Sequence, residues 1–153
     1  MAVAIKRIQK ELFDIKHSTH NDIPENISAG PHGDNLLEWD ATIIGAVGTP
    51  YEGGLFKLKI IFPNNYPFFP PVVNFTTRIF HPNIKETGEI CLDILKYHWS
   101  PAYSVPQILL SIVSLLSDAN PNDPLNPDAA RLYKENKKKY DNTVKDYVLR
   151  FAF

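Results

Sequence analysis

One cysteine stands in the 153-residue chain, Cys91, and no other side chain here offers as wide a chemistry, since a thiolate serves as nucleophile, leaving group or metal ligand. A lone thiol excludes an internal disulfide framework and a multi-thiolate zinc site. Two readings stay open: a small buried hydrophobe, which is what free cysteine most often is, or a nucleophile held on an ordered loop at the rim of a scaffold. Five histidines could act as its base, and His81 and His98 are nearest in sequence. Nearness along the chain does not make a dyad, because the fold brings base and thiol together. His81, followed by Pro82 and Asn83, reads as a turn lock working through its ring nitrogens. His98, beside Trp99, reads as a surface or packing residue.

A loop of that kind needs elements to hold it. Residues 78–103 show no period, and Pro82, Gly88, Pro101 and the aromatics among them predict a long ordered loop, a feature usually tied to function in compact domains. Ile5, Ile8, Leu12 and Ile15 at helical spacing predict an amphipathic helix over 3–17 with Lys6, Arg7 and Lys10 on its surface. From His17 to Gly33 the polar, Pro- and Gly-rich composition predicts mostly loop, with a short edge strand at 25–29. Leu37, Trp39, Ala41 and Ile43 alternate with polar residues, as do Phe56, Leu58, Ile60 and Phe62, and a further strand follows at 72–76. Ser104 as cap, Pro106 in the first turn and Val105, Ile108, Leu109, Ile112, Val113 and Leu116 predict the central helix. Two more helices are expected near 128–138 and 140–150. The predicted fold is α+β: an N-terminal helix, a four-stranded antiparallel meander, a long loop, a central helix and two C-terminal helices, in a single domain over 1–153.

Composition narrows the partners. With 16 Lys and Arg against 17 Asp and Glu, the net charge is -1, which supplies no basic surplus for nucleic acid. A hydrophobic share of 44% with only 7 Gly and 13 Pro excludes disordered and fibrous classes. The uncharged stretches 60–77 and 99–117 are interrupted by prolines and by asparagines or serines, so no membrane span is expected. The first residues lack the apolar stretch of a signal peptide and the last lack a prenylation cysteine; the expected setting is the reducing cytoplasm, extending to the nucleus.

The run His81-Pro82-Asn83-Ile84, then Gly88, then Cys91-Leu92-Asp93-Ile94-Leu95 and Trp99-Ser100-Pro101-Ala102, closely resembles the catalytic core of ubiquitin-conjugating enzymes. In order along the chain, Ser28-Ala29-Gly30-Pro31, Pro50-Tyr51-Glu52-Gly53-Gly54, Phe62-Pro63, Tyr66-Pro67-Phe68, Pro70-Pro71 and Pro121-Asn122-Asp123-Pro124-Leu125 match as well. The resemblance implies that Cys91 accepts the ubiquitin carboxy-terminus from the activating enzyme as a thioester and passes it to a lysine of a protein substrate. It assigns the Asn83 amide to the oxyanion of that second step, beside a role in holding its own loop. It assigns Asp123 to orienting the incoming amine, beside helix capping or plain solvation, and makes His81, Pro82, Leu92 and Asp93 the support of the site. No cofactor and no metal are implied.

The same resemblance implies partners. Lys6, Arg7 and Lys10 match the basic first-helix surface that engages the activating enzyme, and Lys6 and Arg7 also count with the ligase-binding set of Phe68, Pro67, Ser100, Pro101 and Ala102. RING, U-box and HECT ligases are the implied classes, acting on a monomer. Ser28 matches a position on the outer sheet face where family members bind a second ubiquitin. Phe69 stands where the short members carry Lys, the segment His17 to Ile27 is about four residues longer than in those members, and Asn122 replaces an acidic residue. A ubiquitin-like modifier is the alternative cargo. An inactive scaffold of the same fold would lack the nucleophile, whereas this chain keeps Cys91 and Asn83.

Overall fold

Alternating apolar and polar residues settle into a four-stranded antiparallel sheet of order β1-β2-β3-β4, formed by β1 (Ile27–His32), β2 (Asn35–Ile44), β3 (Leu55–Ile61) and β4 (Val72–Phe75). The computed structural model describes residues 1–18 and 23–153. Register follows the period of two: Trp39 lies opposite Ile60, and Ile60 opposite Val73, so Trp39, Ala41, Ile43, Phe56, Leu58, Ile60, Val73 and Phe75 all face one buried side. The other side carries Ser28, Asp40, Thr42, Lys57, Lys59 and Ile61.

Four helices complete the α+β fold: α1 (Ala2–Lys16), α2 (Val105–Ser117), α3 (Pro127–Glu135) and α4 (Lys137–Phe151). Ser104 caps α2 with a full capping box to Gln107, and Pro106 occupies the first turn. Val105, Ile108, Leu109, Ile112 and Leu116 of α2 are buried in the cluster that also takes the inner sheet face. Truncating one of them, such as Ile112→Ala, costs about 2–5 kcal/mol in a core of this kind. Asn136 both ends α3 and caps α4, its side chain accepting from Lys139 N. Tyr140 of α4 meets Tyr51 hydroxyl to hydroxyl at 2.9 Å, and Tyr51 donates to Phe80 O at 2.6 Å. That pair ties the last helix to the start of the long loop.

Two expectations need correction. The segment 17–33, read as mostly loop with a strand at 25–29, contains strand through His32, paired with β2 in register from Ile27 opposite Ile43 to Pro31 opposite Trp39. Gly30 and Pro31 argue against a strand, but β1 has a single neighbour in the sheet and a register shift between Pro31 and His32, and an edge strand with a bulge tolerates both residues. The face of α1 is also turned from the one expected: Ala4, Ile8 and Glu11 are fully buried, while Leu12 and Ile15 only flank the core. The insertion expected within His17 to Ile27 falls partly on residues 19–22, outside the described residues. No helix among the described residues is long and apolar enough to cross a membrane.

Candidate active site

Between β4 and α2 the chain makes one 3-10 turn, Asp93–Leu95, and is otherwise ordered by irregular hydrogen bonds and by Ile79, Phe80, Ile84 and Ile90, which are buried in the core. Ile84 bridges Ile90, Lys85 N donates to Glu89 O at 2.8 Å, Gly88 N to Lys85 O at 2.8 Å, and Phe75 N to Gly88 O at 2.9 Å. Gly88 has φ +97, and a Cβ there would lie 1.9 Å from Phe75 O. Only glycine lets this loop close onto β4.

His81 is fully buried and its two nitrogens fix one tautomer. Nδ1 accepts from Asn83 N at 3.0 Å, which leaves Nε2 to donate to Leu115 O at 2.7 Å. Burial lowers its pKa to about 4. It is therefore a neutral turn lock on α2, as expected, and its ring has no free nitrogen with which to take a proton from Cys91. His98 is exposed beside Tyr97.

Pro82 and Asn83 hold the facing loop. Pro82 O accepts from Leu125 N at 2.8 Å and Asn126 N at 3.1 Å. Asn83, 1% exposed, donates through Nδ2 to Asn120 O at 2.7 Å and Asp123 O at 3.0 Å, and its Oδ1 accepts from Asn120 N at 2.8 Å. Its backbone carbonyl accepts from Cys91 N at 2.9 Å. One asparagine thus sets the distance between the segment of Cys91 and the segment of Asp123. The cap of α3 is Asn126, accepting from Ala129 N at 3.1 Å, so capping is not the work of Asp123. The exposed Asp123 carboxylate instead accepts from the Cys91 thiol, Sγ to Oδ2 3.5 Å. Partial burial first, then the Asp123 carboxylate, push the Cys91 thiol above its usual pKa, against a smaller opposing pull from Lys96. The result is a reachable thiol, mostly protonated, with a weakly basic carboxylate rather than an imidazole bonded to it.

Leu92 packs partly against the core, and Asp93 opens the 3-10 turn, its side chain accepting from Ile94 N and its carbonyl from Lys96 N and His98 N. At one end of the molecule Phe68 is 64% and Phe69 58% exposed, so neither ring belongs to the core. Pro67 is buried, and it contributes its carbonyl, which accepts from Trp99 Nε1 at 2.8 Å. Pro101 and Ala102 are exposed on the adjoining turn, Ser100 half-buried with its hydroxyl accepting from Ala102 N. Lys6 and Lys10 are exposed, whereas the guanidinium of Arg7 is largely turned inward, to Glu11, Pro101 O and Tyr103 O. On the far face of the sheet Ser28 shares a short hydrogen bond with Thr42, beside an ion network in which Lys59 meets Asp40 and Glu38 and His32 meets Asp40.

Sequence reasoning missed Asn120 and Glu11. Asn120 is a polar residue just before a proline, which reads only as a helix stop. Glu11 lies three residues after Ile8 and seven after Ala4, on the buried stripe of α1, and a carboxylate at that spacing was the available signal.

A buried neutral histidine, an asparagine strapping two loops and a reachable lone thiol against an α+β scaffold define a thiol-bearing class of protein. The family model of the ubiquitin-conjugating enzymes matches residues 7–148, and the chain belongs to that family, a transferase acting in ubiquitin conjugation with ubiquitin, an activating enzyme and ligases as its general partners.

Proposed function

We propose that the chain, acting as one catalytic core over 1–153, carries ubiquitin as a thioester on Cys91 and hands it to a substrate lysine with the help of a ligase. The observation that carries the reading is the pairing of the only thiol in the chain with the Asp123 carboxylate at 3.5 Å, while both ring nitrogens of the buried His81 are already engaged. In the first step the Cys91 thiolate attacks the carbonyl of the activating enzyme's ubiquitin thioester, and that enzyme's thiolate leaves. The exchange is nearly balanced and needs only the small thiolate fraction present at neutral pH. A strong base at this place would activate water and hydrolyse the product.

In the second step a lysine amine, its ammonium proton already given up to solvent, attacks the thioester carbonyl; the C–N bond forms, the C–S bond breaks, and the departing Cys91 thiolate takes up, through solvent, the proton that the nitrogen sheds. The Asp123 carboxylate draws in the lysine ammonium and, once its proton has gone to solvent, accepts a hydrogen bond from the neutral amine and orients it. Asn83 stabilises the oxyanion: the amide that straps Asn120 and Asp123 exchanges a loop carbonyl for the developing charge. His81, Pro82, Leu92 and Asp93 hold that arrangement. Phe68 with the Ser100-Pro101-Ala102 turn forms the docking surface for RING, U-box or HECT ligases, shaped from beneath by Pro67, and the exposed Lys6 and Lys10 supply the basic edge that meets the activating enzyme, with Arg7 bracing the ligase surface from within. The outer sheet face around Ser28 takes a second ubiquitin. The protein works as a monomer in cytoplasm and nucleus.

Incubation with activating enzyme, ATP and ubiquitin tests the reading. It is expected to give one conjugate that reductant removes, and Cys91→Ser a conjugate that resists reductant. A reducible adduct on Cys91→Ala would overturn it, because no second thiol exists.

A further inference from the structure

Glu11 is the one charged side chain that the fold buries among the described residues, 5% exposed, and nothing in the chemistry of Cys91 uses it. A buried carboxylate is unfavourable unless its oxygens are saturated, and here they are, by donors from three segments. Oε2 accepts from the Tyr66 hydroxyl, in a short bond, and from Arg7 Nε at 3.1 Å; Oε1 accepts from Val105 N at 2.7 Å. Tyr66 precedes Pro67 and Phe68, and Val105 is the first residue of α2. The Arg7 guanidinium continues the chain, Nη1 to Pro101 O at 2.6 Å and Nη2 to Tyr103 O at 2.9 Å, while standing 5.6 Å from the centre of the Tyr66 ring. The bond from Trp99 Nε1 to Pro67 O closes the circuit. Both loops that present exposed side chains at this end of the molecule therefore hang from one ion pair on α1.

We infer that Glu11 is a positioning residue which, through Arg7 and Tyr66, sets the spacing between the Phe68 loop and the Pro101-Ala102 turn, and that ligase recognition depends on it although its carboxylate offers a partner no surface. The inference rests on the docking role given to those two loops above. The chemistry demands these residue types. A planar guanidinium reaches one carboxylate and two carbonyls at once from a fixed fork, which a lysine ammonium does not reproduce. A carboxylate presents two acceptors, whereas a glutamine in its place must turn an N–H toward either Val105 N or the Arg7 and Tyr66 donors.

The test uses the RING domain that, out of a panel, most stimulates discharge of the charged protein onto free lysine. Glu11→Gln is expected to raise the RING concentration for half-maximal stimulation about tenfold, the effect of losing one charge-assisted hydrogen bond, while the saturated rate and the unassisted discharge stay within about twofold. Arg7→Lys is expected to raise it as Arg7→Ala does; parity of Arg7→Lys with the unaltered protein would make Arg7 a mere surface cation and overturn the inference. Equal loss of unassisted discharge in Glu11→Gln would also overturn it, as the lesion would then reach the loop of Cys91.

Hydrogen exchange in the free protein supplies a readout independent of any ligase. Glu11→Gln, and the gentler Tyr66→Phe, should speed exchange at 66–69 and 101–105 and leave 81–91 and 120–126 unchanged, and a uniform rise would show general loosening instead. Phe68→Ala separates the two readings. If it abolishes stimulation and Glu11→Gln has no effect, positioning by Glu11 fails alone; if no RING domain stimulates, or Phe68→Ala leaves stimulation intact, the docking role fails and this inference with it.

Discussion

The Asp123 carboxylate reaches Cys91 across the groove at 3.5 Å and acts with opposite sign on the two steps of the proposed reaction. For the free thiol it is a like charge to the thiolate and an acceptor for the neutral S–H, and both effects hold the thiol protonated. For an incoming lysine it is the attractive partner. Asp123→Asn is therefore expected to ease ionisation of Cys91, so that alkylation of the free protein by iodoacetamide quickens at neutral pH and its pH profile moves to lower pH, while discharge onto lysine slows. An unmoved alkylation profile would show that the carboxylate is not felt at Sγ. Asn83 behaves differently, because its side chain has no unused group: every polar atom of its amide is bonded to the 120–123 loop. The resemblance implied an amide near the thiol; that the same amide also holds Asp123 in place is a fact of three dimensions, made by residues 37 and 40 positions away.

At the scale of elements, His81 links the long loop to α2, and its burial ties the stability of that joint to pH. Its pKa is about 4 in the folded protein against about 6.5 for an ordinary histidine. The unfolded chain thus binds a proton through that interval which the folded one refuses, so the contribution is complete above about pH 6.5 and fades as pH falls toward 4, by roughly 3 kcal/mol in all. Urea unfolding at steps of pH should show His81→Gln losing less stability than the unaltered protein between those limits; parallel curves would mean that His81 titrates normally. The elements themselves were legible to different degrees. Period-two alternation in β2 and β3 and the apolar ladder of α2 show in the sequence because those residues meet the core directly. The extent of β1 does not, since Gly30 and Pro31 are poor strand formers accepted only because that strand has one neighbour. The true face of α1 is hidden because Glu11, polar by type, is buried by its partners Tyr66, Arg7 and Val105. The loop from 78 to 103 was legible as ordered from its prolines and glycine, but its internal hydrogen bonds join residues with no periodic relation.

Taken as a whole molecule, the sheet has two ends, and they are finished differently. Beyond β4 the chain returns on itself, with Asn74 bridging Glu89 and Phe75 N donating to Gly88 O, so the loop of Cys91 covers that side. At the other side β1 pairs with β2 only, and within it Pro31 offers no N–H and the register shifts between Pro31 and His32. An unfinished strand is a template on which a second copy of the same chain can add its own strand, and a proline with a bulge is a common way to spoil it. The irregularity that made β1 hard to read thus also interrupts that template. Pro31→Val should supply the missing donor and straighten the strand, and sedimentation velocity over rising protein concentration should then show the variant growing into larger species while the unaltered chain stays dispersed.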